Sequence, residues 1–113
     1  METSLEQRVL EHLCRVYGLG IDEVRELFAI GRTTVGETLG RLEEALAGEN
    51  WTAMADAAHM LKGTLFNMGL QELGESARTL ELAAKEGRTA EARRLHAELV
   101  PALKEFRVPA AEA

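Results

Sequence analysis

Ala58-His59-Met60-Leu61-Lys62-Gly63-Thr64-Leu65-Phe66-Asn67-Met68-Gly69-Leu70 is the stretch on which the reading of this chain turns. At about 100° per residue, Met54, Ala57, Leu61, Leu65 and Met68 fall on one side of a helix, the side that seeks a core. His59 lies nearly opposite, flanked by Thr52, Ala55, Asp56, Lys62, Gly63 and Phe66. The spacing therefore predicts an imidazole that faces solvent from the middle of a rigid helix. Lys62, one turn on, shares that face, and its ammonium can pair with phosphate oxygens. Gly63 removes a side chain beside the ring, which lets a partner's backbone come close, or lets a neighbouring helix of this chain do so. Phe66, two turns along, places a large apolar ring on the wet face. With Ala55 it begins an apolar docking patch, unless the ring turns partly inward.

Helical signals continue on both sides. Upstream, Ser4 three residues before Gln7 resembles a capping box, and Leu5, Val9, Leu13 and Val16 form a stripe for a helix over 5–17. Gly18-Leu19-Gly20 breaks it. Asp22 then serves as N-cap of a second helix that reaches Ala47, with Val24, Leu27, Phe28, Gly31, Val35, Leu39, Leu42 and Leu46 on its apolar face. Gly31, Gly36 and Gly40 each cost roughly 1 kcal/mol against alanine, which makes Gly31 the candidate for a break. Asn50 caps a third helix over 51–68 that Gly69 ends. A fourth, over 71–86, carries Leu73, Ala77, Leu80 and Ala84 on one face. Thr89 caps a fifth over 90–106 with Leu95, Leu99, Leu103 and Phe106 inward and a kink at Pro101. Residues 108–113 read as a frayed tail.

Short turns between long amphipathic helices favour antiparallel packing. The expected architecture is all-α: an antiparallel up-down four-helix bundle over 21–107, with an additional N-terminal helix and turn over 1–20. It forms one domain across 1–113.

Composition narrows the function classes. With 46% hydrophobic and 28% charged residues the chain is ordinary for a globular domain, and only 4% of residues are aromatic. A net charge of −6 argues against nonspecific nucleic-acid binding, which needs clustered Lys and Arg. No apolar run approaches the roughly 20 residues that span a bilayer, and the start lacks a signal-peptide pattern. Cys14, the single cysteine, suits a reducing cytoplasm. The Met1 start suits a free-standing protein, and a monomer is the expected state. His12 and His96 lack metal-ligand spacing and read as surface or boundary residues. Met54, Met60 and Met68 read as core or boundary packing. No phosphate-binding loop of the Gly-x-x-x-x-Gly-Lys-Ser/Thr kind occurs, so an ATP site is not expected.

Ala58-His59-x-Leu61-Lys62-Gly63 followed by Asn67-Met68-Gly69-Leu70 resembles the signature of histidine-containing phosphotransfer (HPt) domains of bacterial two-component phosphorelays. The resemblance covers nearly the whole chain. Glu49-Asn50-Trp51 looks like the family's turn before the signature helix, and Leu80-Glu81 like the Leu-Glu of the next one. Some members carry glutamine where Glu81 aligns, and an acid there could not stabilise a phosphate.

The resemblance implies a phosphocarrier. His59 takes a phosphoryl group from a receiver-domain phospho-aspartate and hands it to another receiver's aspartate. Lys62 stabilises the phosphate, and Ala55, Asp56, Gly63 and Phe66 dock the partner. Receivers of response regulators and a hybrid sensor kinase would be the partners, with no nucleic acid and no membrane. The receiver would supply magnesium and the catalytic groups; this chain would hold no cofactor or metal and be no enzyme of its own. Two other readings compete. A helical adaptor would bind a receiver or kinase through the same face without using the imidazole. A metal- or haem-binding bundle would need inward ligands, whereas the predicted stripes are Leu, Val, Met and Ala.

Overall fold

Capping chemistry sets where the first three helices begin. The Ser4 hydroxyl accepts from the Gln7 amide and opens α1 (Leu5–Tyr17), which Gly18 closes in a left-handed conformation. α2 (Ile21–Ala47) starts two residues earlier than an Asp22 cap would allow. Gly20 is the N-cap: its backbone is extended, and the Glu23 carboxylate reaches back to accept from its N–H at 3.2 Å. Asp22 is thereby inside the first turn, where the helix dipole favours an acid. Asn50 caps α3 (Trp51–Asn67), accepting from the Ala53 amide at 3.0 Å.

These helices belong to a computed structural model that describes residues 4–106. The expected tail and the last residue of the expected bundle lie outside them. Beyond α3 the chain reverses at Gly69 (φ 80°) into α4 (Gln71–Lys85), then at Gly87 (φ 73°) into α5 (Thr89–Ala102). Thr89 is the first helical residue rather than the cap, and Arg88 holds the cap position without a side-chain capping hydrogen bond.

Two further expectations change. α2 runs unbroken for 27 residues through all three glycines. Gly31 is there for close packing: a Cβ on it would lie 3.0 Å from the Met68 thioether. α5 ends at Ala102 instead of kinking on to Phe106. Pro101 has no N–H to continue the ladder, so the chain tightens into a 3-10 turn over Lys104–Phe106. That turn seats the Phe106 ring 5.8 Å from Phe28 of α2.

The result is an all-α bundle in which α3 lies between α2 and α4, and the α3–α4 interface is the most extensive. α5 packs on α4, and α1 packs on α2. α1 also reaches the α3–α4 reversal, where the His12 ring fills the space that a side chain on Gly69 would occupy. Leu39, Leu42, Met54, Leu61, Leu65 and Leu80 fill the centre, each fully buried. No helix of the described residues is long and apolar enough to cross a membrane.

Candidate functional site

α3 seats Met54, Ala57, Leu61, Leu65 and Met68 inward as the periodicity requires. His59 is thereby turned outward, with 65% of its side chain exposed. The buried arc of α3 is wider than a single stripe because helices flank it on two sides. Ala58 is buried too, and so is Ala55, which is 4% exposed and unavailable to a partner, contrary to its expected docking role. Small side chains at 55 and 58 are what let α2 and α4 close on α3.

The ring of His59 is held by α4. Its Nδ1 lies 3.0 Å from Glu81 Oε2. Lys62 Nζ donates to Glu81 Oε1 at 2.9 Å, and Lys85 Nζ, one turn on in α4, lies 3.0 Å from Oε2. Glu81 itself is only 5% exposed. Burial pushes its carboxyl up. The hydrogen bonds from Lys62, Lys85 and His59, helped by the charge on Lys62, outweigh that and bring its pKa from 4.5 down to about 2.

An ionised carboxylate only accepts, so His59 Nδ1 is the donor and carries a proton. In the neutral ring the lone pair then resides on Nε2. The arrangement fixes the tautomer and aims the nucleophilic nitrogen away from Glu81 on an exposed side chain.

Lys62 shares the face of His59 as expected, but it is clamped to a buried carboxylate and not extended into water. Gly63 is exposed, and a Cβ on it would meet nothing within 4 Å. No neighbouring helix requires the glycine, which disposes of the packing alternative and leaves open space beside the ring. Phe66 is half-buried and takes the inward alternative in part: its ring leans on α4 so closely that a Cβ on Gly74 would lie 2.6 Å from it. Asp56 is exposed at a groove of about 450 Å³ between α2 and α3, which Arg41 and Met60 also line.

Exposed apolar surface beside the site comes from residues that sequence reasoning did not assign to it. Met60, expected in core or boundary packing, and Leu82 of α4 are both exposed. Lys85 was missed as well, as was the holding role of Glu81. A signal existed: Glu81 and Lys85 are spaced i, i+4, beside the Ala77, Leu80 and Ala84 stripe that turns toward α3. His12, His96 and Cys14 are half-buried on other helices. Among the described residues no group of three or more His, Cys, Asp or Glu could hold a metal ion.

Compared with models of known families, the chain matches the Hpt domain over residues 26–107, which takes in all of α3, α4 and α5. No curated protein and no solved structure matches it.

Proposed function

The chain belongs to the Hpt domain family, whose role is phosphotransfer through a histidine, and from that premise we propose that His59 is the residue that carries the phosphoryl group. The observation that carries this reading is the His59–Glu81 hydrogen bond on an exposed ring, because with the proton on Nδ1 the neutral ring has its lone pair on Nε2.

The proposed exchange balances without loss of a proton. The Nε2 lone pair attacks phosphorus of a receiver's aspartyl phosphate. The bond from phosphorus to the aspartate oxygen breaks, and the carboxylate leaves with its electron pair. The ring keeps its Nδ1 proton and gains positive charge, which the Glu81 carboxylate 3.0 Å away stabilises. The reverse sequence delivers the group to a second receiver. Alignment and charge stabilisation dominate phosphoryl transfer, so a ring fixed on a rigid helix is a suitable nucleophile. In this reading magnesium and the acceptor pocket belong to the receiver, and the chain is a carrier and no enzyme alone. Lys62 neutralises the phosphate, Gly63 gives the receiver's backbone access, and Asp56, Phe66, Met60 and Leu82 meet its surface.

Phosphotransfer profiling against the receivers of the same cell tests this. Label is expected to pass from at least one phosphorylated receiver to the wild-type chain. It should fall to background in His59→Gln with an unchanged melting temperature. Label that survives the substitution, or receiver binding with no transfer, overturns the reading.

A further inference from the structure

Glu81 accepts from three donors, one more than a carrier with a single phosphate-binding lysine would need. Lys62 takes Oε1, while Oε2 is shared between His59 Nδ1 and Lys85 Nζ, each at 3.0 Å. Lys62 cannot serve a phosphoryl group on His59 Nε2 and stay on Glu81 with its full hydrogen bond. If it left in a chain without Lys85, a carboxylate only 5% exposed would keep a single hydrogen bond, from the ring, against its charge.

Counting charge makes the need concrete. With a neutral ring, Glu81, Lys62 and Lys85 together carry one net positive charge. A phosphoryl dianion on a ring that keeps its Nδ1 proton adds one net negative charge, and the cluster comes to neutrality. Without Lys85 the same step would take it from neutral to negative.

We propose that Lys85 is a positioning residue of the phosphorylated state, which holds the Glu81 carboxylate so that Lys62 is released to the phosphoryl group on His59. Lys85 suits the task by location. It is on α4, one turn from Glu81, so it keeps its partner whatever α3 does, and most of its side chain is solvated, so it can stay charged. Lys62 is the donor that crosses from α3, on the same face as the ring. The other charged side chains on the neighbouring turns are Asp56 on α3, Arg78 on α4, which is paired with Glu75, and Glu86 and Arg88 just beyond Lys85, which are paired with each other.

This inference rests on His59 as the phosphoryl carrier, and its test uses a chemical donor so that the two can fail separately. Phosphoramidate transfers its phosphoryl group to Nε2, the phosphorus–nitrogen bond of the donor breaks, and ammonia leaves. The full chain is phosphorylated in this way. The titration of the phosphoryl group is then followed by phosphorus NMR between neutral and mildly alkaline pH. A cation in contact favours the dianion and lowers the midpoint by about one pH unit, a tenfold change in its proton affinity.

The low midpoint is expected in the wild type and in Lys85→Arg, and the raised one in Lys62→Met. Lys85→Met should match Lys62→Met, and the double variant should move no further, because both substitutions remove the same contact. A Lys85→Met midpoint equal to wild type overturns the proposal, as does a double variant in which the two shifts add. Melting temperatures of the variants show whether the fold is kept, and Lys85→Gln, expected to raise the midpoint as Lys85→Met does, decides the matter if Lys85→Met unfolds. If the shifts appear while no receiver exchanges the group, the carrier function fails and the role of Lys85 stands. If His59 accepts no phosphoryl group from either donor, both are overturned.

Discussion

The α3–α4 face and the α1–α2 corner of this molecule break the same rule in opposite directions. On the first, a carboxylate is taken out of water and surrounded by His59, Lys62 and Lys85. On the second, apolar side chains are left in water: Val16, Tyr17, Ile21 and Ile30 are all exposed, Ile30 by 65%. The buried charge is costly unless its partners are fixed, so it makes the α3–α4 face specific and rigid. The exposed apolar groups cost little where they are and organise nothing around them. The proposed chemistry falls where the protein has invested structure, at a buried carboxylate held by three donors.

That contrast can be broken by substitution. Leu61, fully buried under the site, should cost about 2–5 kcal/mol on Leu61→Ala, read as a lower urea midpoint with unchanged slope. A loss below 1 kcal/mol would mean that α3 is not the seated helix described here.

Glu81→Gln comes next. A carboxyl held near 2 instead of 4.5 contributes about 3 kcal/mol, by about 1.4 kcal/mol per pH unit. The folded pKa is the depressed one, so this stability is fully present above about pH 4.5 and is lost as pH falls toward 2. The difference between wild type and Glu81→Gln should therefore be constant at neutral pH and shrink below 4.5. A difference independent of pH would show that the ion pairs contribute nothing.

How much of this could be read from residues alone divides along the same line. All five helices, the all-α bundle and the outward His59 follow from 3.6-residue periodicity, Ser4 and Asn50 caps and glycine reversals, which are local signals. The errors fall where tertiary context overrides the wheel. Ala55 sits on the nominally wet side of α3, yet α3 is packed on two flanks and needs small residues there. Val16 and Leu27 sit on nominal core stripes, yet α1 meets only one side of α2 and leaves them outside. Glu81 was legible as a helix residue and not as a hub, because its three donors come from two helices and only Lys85 lies at a spacing that sequence displays.

Two glycines sharpen the comparison within the site. Gly74→Val must displace the Phe66 ring and should cost about 1–3 kcal/mol, with altered chemical shifts at Phe66. Gly63→Val has open space and should leave stability within about 0.5 kcal/mol while slowing transfer from a receiver. Equal effects on stability would mean that the two positions do not differ as described.

At the α1–α2 corner, Ile30→Ser should change stability by no more than about 0.5 kcal/mol in thermal melts, the smallest effect expected. A larger loss would place that side chain in a packed environment.

The central claim is that Glu81 fixes the protonated nitrogen of His59 and leaves Nε2 to carry phosphate. Nitrogen and phosphorus NMR of the chain after phosphorylation by a receiver tests it most directly. The account predicts one phosphoryl group, bonded to Nε2 of His59, with the proton retained on Nδ1. A phosphoryl group on Nδ1, or label on any other residue when His59 is replaced by glutamine, would contradict it.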